Sequence, residues 1–62
     1  MQTKEEAIER LKRDRDVIVA TIEAIHTNYE RGAVGEVTYG GIRRAFEKEL
    51  QAVEEELLRV IA

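Results

Sequence analysis

The chain has no cysteine, no serine and no proline, and each absence closes something off. Without cysteine there is neither a disulfide nor a thiolate metal site, which fits a reducing, cytoplasmic compartment. Without serine or cysteine there is no Ser/His/Asp or Cys/His nucleophilic set. With a single histidine and no cleft-forming architecture, an enzyme is not expected. Apolar runs are short: the richest, residues 17–25, falls well below the ~20 residues a bilayer span requires. The polar residues 2–16 argue against a secretory leader. Neither sign of charge dominates. Thirteen acids against ten bases give a net charge of −3, which leaves no broad basic field for nucleic acid.

What remains is a chain rich in Ala, Glu, Leu, Arg and Lys, with charged residues at 37%, a composition that belongs to long helices and coiled coils. At 62 residues it forms one domain, of a size that buries only about 60% of the surface its unfolded form exposes. Folds this small add a disulfide, a metal or an oligomer interface. With the first excluded, association is the common device left.

The organising stretch is the turn, residues 28–39, with a helical pattern on either side. Upstream, Thr3 followed by Glu6 has the spacing of a capping box. An apolar seam then runs through Ile8, Leu11, Ile18, Ile22, Ile25 and Tyr29. Adding Arg15 makes the spacing an unbroken heptad, and Gly32 follows as a left-handed C-cap. The expected helix covers about residues 3–31. Downstream, Gly32, Val34 and Gly35 make a short connection that returns the chain antiparallel, and a second helix covers about 36–61. Its seam reads Tyr39, Ile42, Phe46, Leu50, Val53, Leu57, then Val60 and Ile61. One extra four-residue step implies straighter helices than a strict heptad would give. Laid side by side, the seams match in order from Tyr29 against Tyr39 to Ile8 against Val60. Gly40-Gly41, each costing about 1 kcal/mol against alanine inside a helix, suggests close approach of two backbones there or a helix that starts at Thr38.

Two features do not fit an isolated hairpin. Residues 17–25 carry one charge and are apolar nearly all round, and a helix apolar on every side is usually covered on every side. This points to a second interface made by Val17, Ala20, Thr21 and Ala24 with Ala45, Ala52 and Val53. Arg15 sits in the seam, where an isolated polar residue fixes register; Glu49, Glu54 and Glu56 are its expected partners.

The run Tyr29, Gly32, Val34, Glu36, Tyr39 resembles the turn of the short C-terminal (SHOCT-type) helical hairpins and similar small prokaryotic hairpin segments. Gly35 stands where those carry a capping hydroxyl, and Val37 and Thr38 stand where acids are common. The resemblance is confined to the turn region and implies an oligomerisation or interaction module without catalytic residues.

Glu23 and His26 form a Glu-x-x-His pair, the spacing used in di-iron helical bundles, and Glu47 on the second helix could add a carboxylate. The simpler reading is a boundary histidine satisfied by water or a neighbouring acid, with no metal and no cofactor. Arg10, Lys12, Arg13 and Arg15 are interrupted by Asp14 and Asp16 and read, with Arg43 and Arg44, as solvated faces. The expectation is therefore an all-α antiparallel hairpin, coiled-coil-like, that pairs with a second copy into a four-helix bundle. It would be a structural module with no enzymatic activity, no nucleic-acid partner and no membrane span. An adaptor that receives a helix of another protein is the alternative, and a metal-binding bundle comes third.

Overall fold

The computed structural model describes residues 2–62. It is all-helical, with α1 over Lys4–Glu30 and α2 over Glu36–Ile61, and the two helices are in contact. Helices of 27 and 26 residues are each roughly 40 Å long at 1.5 Å per residue. They fit within 44 × 17 × 14 Å because α2 returns along α1.

The ends of α1 are finished by its own sequence. Thr3 has extended backbone geometry and closes a capping box. The Glu6 N–H donates to Thr3 Oγ1 at 3.1 Å, and the Thr3 N–H donates to Glu6 Oε1 at 3.4 Å. At the other end Gly32 takes φ +78°, a left-handed conformation that a Cβ would strain. The Gly32 N–H donates to the Tyr29 carbonyl and the Ala33 N–H to the Asn28 carbonyl, both at 3.0 Å. This is the complete Schellman pair of bonds. Arg31 is the cap residue itself, and the last turn of α1 holds no basic side chain.

Both seams face inward. Ile8, Arg15, Ile18, Ile22, Ile25 and Tyr29 are half-buried and Leu11 is buried; Ile42, Phe46, Leu50, Val53 and Val60 are half-buried, with Tyr39 and Leu57 buried. The deepest points are Leu11, 5% exposed, and Tyr39 and Leu57, 8% each. Ile61 lies outside the seam, half in solvent; Val60 alone continues it. The core is a single layer of side chains, since two helices can cover only one stripe of each other.

Two expectations are corrected. Arg15 keeps its seam position, but its guanidinium turns back to Asp16 at 3.3 Å instead of crossing to Glu49, Glu54 or Glu56. The long side chain finds an acid at the next position without spanning the interface. α2 begins at Glu36, at the expected boundary and not at the alternative start of Thr38. Nor do Gly40 and Gly41 bring two backbones together. A Cβ on Gly41 would meet nothing within 4 Å, and one on Gly40 would meet only the Arg44 guanidinium at 3.9 Å. Neither glycine has a positive φ, so the packing demands neither. Gly41→Ala is accordingly expected to raise the unfolding free energy by about 1 kcal/mol. Urea titration followed by circular dichroism checks this, and a loss of stability would mean that the position serves a contact beyond this chain.

Candidate functional site

Two surfaces of the hairpin stand out, on opposite sides of the seam. The first is an apolar groove between the helices, lined by Asp14, Val17 and Ile18 from α1 and by Glu49, Ala52 and Val53 from α2. Ile18 and Val53 belong to the seam and form its floor. Val17, 66% exposed, and Ala52, also exposed, form its shoulders. Ala20, Ala24 and Ala45 are exposed as well. They continue the two shoulders towards the turn at helical spacing, which keeps residues three and four apart on one side. Thr21 is half-buried, and its hydroxyl donates to the Val17 carbonyl at 2.8 Å. That bond satisfies its polar group within the helix and leaves the side chain apolar towards a neighbour. Of the seven residues expected to form a second interface, Val53 is thus already engaged in the seam and Thr21 lies at its edge. The other five are uncovered in the single chain.

The second surface is a chain of polar side chains near the turn, beside a groove lined by Ile22, Glu23, His26, Thr27, Tyr39 and Arg43. Its centre is Tyr39, whose ring stacks on Tyr29 at 4.3 Å and 9° and is tilted against His26 at 5.9 Å. Arg43 Nη1 donates to the Tyr39 hydroxyl oxygen at 3.1 Å. The same hydroxyl is hydrogen-bonded to His26 Nδ1, 2.9 Å away. Nε2 in turn lies 2.6 Å from Glu30 Oε1, and at the other end Arg43 Nε lies 2.6 Å from Glu47 Oε1. The order Glu47–Arg43–Tyr39–His26–Glu30 therefore links the two helices through one aromatic hydroxyl. Glu47 first, and Tyr39 after it, hold the Arg43 guanidinium above its ordinary pKa. Because arginine is charged at every accessible pH, the effect is to fix where the group points.

This arrangement bears on the Glu-x-x-His pair. Both ring nitrogens of His26 are engaged, by Glu30 and Tyr39 and not by Glu23. Glu47 is held by Arg43. Among the described residues no group of three or more His, Asp or Glu side chains is placed to hold a metal ion, and no helix is long and apolar enough to cross a membrane. The sequence reading placed Tyr39 in the seam opposite Tyr29 but missed its hydroxyl as a junction. The signal was present as three pairs at i,i+4 spacing: His26–Glu30, Tyr39–Arg43 and Arg43–Glu47.

Gly32 and Val34 belong to the turn, and Val34 is half-buried. Gly35 starts α2 with no side-chain hydrogen bond to its first turn. In comparisons with family models, curated proteins and solved structures, nothing matches this chain.

Proposed function

We propose that this protein is a self-associating helical module whose role is structural. Two hairpins meet through the Val17–Ala52 groove and its alanine shoulders, and the product is a four-helix bundle of two antiparallel hairpins. The supporting observation is an excess of surface. The single chain exposes 4835 Å², whereas a folded monomer of 7.1 kDa is expected to expose about 4100 Å². The excess of about 700 Å² is close to the roughly 800 Å² that each partner contributes to a standard interface. Without disulfides, a core one side chain thick gains from a second layer.

The SHOCT-type resemblance of the turn points the same way, and a cytoplasmic, reducing setting suits a chain without cysteine. The reading includes no catalysis. The one imidazole is held from both sides, so it is a poor candidate for a free general base. An adaptor that receives an amphipathic helix from another protein in the same groove is the second reading, favoured by the apolar floor of Ile18 and Val53 between exposed shoulders. Sedimentation equilibrium at micromolar concentration separates the two. A mass of twice 7.1 kDa supports self-association, and a stable monomer at all concentrations favours the adaptor.

A further inference from the structure

Resting on the self-association reading, we infer how the second copy sits: the two hairpins pair with their turns at the same end, about a two-fold axis parallel to the helices. The inference comes from the charges that border the apolar face. Along α1 the row Arg10, Arg13, Val17, Ala20, Ala24 repeats at three- and four-residue steps, and along α2 the row Ala45, Glu49, Ala52, Glu56 does the same. Both rows are exposed. Each passes through a shoulder of the groove, at Val17 and at Glu49–Ala52. One shoulder thus ends in bases, and the other alternates alanine with acids.

Two hairpins can close on this face about either of two axes. If the axis lies in the interface and crosses the helices, α1 stacks on α1 of the partner and α2 on α2. The Val17–Ala24 and Ala45–Ala52 segments then centre on the axis. Glu49 of the two copies meets within about one turn, and Arg10 falls level with the partner's Arg31. Like charges are brought together at both places, at the margin of an apolar contact where screening is weaker than in open solvent.

If the axis runs along the helices, α1 of each copy packs against α2 of the other. The register set by Tyr29 on Tyr39 and by Ile18 beside Glu49 and Val53 then makes Arg10 and Arg13 level with the partner's Glu56. Val17 meets the partner's Ala52, and Ala24 meets the partner's Ala45. Small residues oppose one another where helices must approach to 8–10 Å, and opposite charges oppose at the open end; of the two acids that line the groove, Asp14 lies next to that basic end and Glu49 falls level with the partner's Ala20, facing no base. Every neighbouring pair of helices remains antiparallel. The polar chain through Tyr39 stays on the outer side, clear of the contact.

The chain has no cysteine, so one introduced at the exposed turn residue Ala33 reports the arrangement without further engineering. A nitroxide on Ala33→Cys is measured by pulsed dipolar spectroscopy, with the mass of the same sample taken by sedimentation. Turns at the same end place the labels on the order of 20 Å apart, from the helix spacing. Turns at opposite ends place them about 40 Å apart, from 1.5 Å per residue on either side of the axis. A dimer with the short distance is the expected result. A dimer with the long distance overturns the same-end arrangement while leaving self-association standing. A monomeric mass with no dipolar signal overturns both.

Discussion

Replacing Tyr39 with alanine is expected to remove about 3–4 kcal/mol of stability, the range for deleting a buried aromatic side chain. For a chain of 62 residues the whole unfolding free energy is of order 3–9 kcal/mol, so the substitution removes at least about a third of it. Several losses coincide at this position. Among the described residues Tyr39 is one of three that are buried, it carries the stack on Tyr29, and its hydroxyl links the Arg43 and His26 ends of the polar chain. Tyr39→Phe separates these contributions. It keeps the ring and breaks the chain, for an expected cost of about 1 kcal/mol. Urea unfolding followed by circular dichroism measures both. If the phenylalanine variant loses as much as the alanine variant, the hydroxyl network and not the ring anchors the turn end.

The second large effect is on assembly and not on folding. Ala24 is exposed in the single chain, so Ala24→Glu leaves the seam untouched and costs the helix only a few tenths of a kcal/mol. In the proposed bundle the same carboxylate enters an apolar contact without a partner. An uncompensated charge there costs about 3 kcal/mol or more, which at 1.4 kcal/mol per factor of ten raises the dissociation constant by more than a hundredfold. The expected product is a helical monomer, read as unchanged circular dichroism with half the sedimenting mass. An unchanged mass would show that the contact lies on another face.

The seam was legible because its evidence is periodic. Leu11, Ile18 and Ile22 repeat at the spacing that brings side chains onto one stripe, and the stripe of α2 answers it residue for residue. The ends of α1 were legible because capping is local chemistry: Thr3 with Glu6, and Gly32 where a left-handed residue must stand. Long polar side chains were not legible. Arg15 could have reached several acids, and an adjacent one, Asp16, costs less to hold in place than one across the seam. His26 has three neighbours within reach along its own helix. Its second bond depends on where the stacked ring of Tyr39 sets its hydroxyl, and spacing within α1 cannot specify that. Gly40 and Gly41 misled because glycine in a helix signals either a close approach or simple tolerance, and only the empty space beside Gly41 separates the two.

The uneven finishing of the helices gives the molecule a weak point of known address. α1 is locked at both ends, by Thr3 with Glu6 and by the paired bonds around Gly32. α2 starts on Gly35 with no side chain to hold its first amides, and meets two more glycines within its opening turns. Backbone opening is accordingly expected first in residues 36–41, opposed there by the buried ring of Tyr39. A protease working on the folded protein is expected to find its first foothold there, and to find it more often once the ring of Tyr39 is removed.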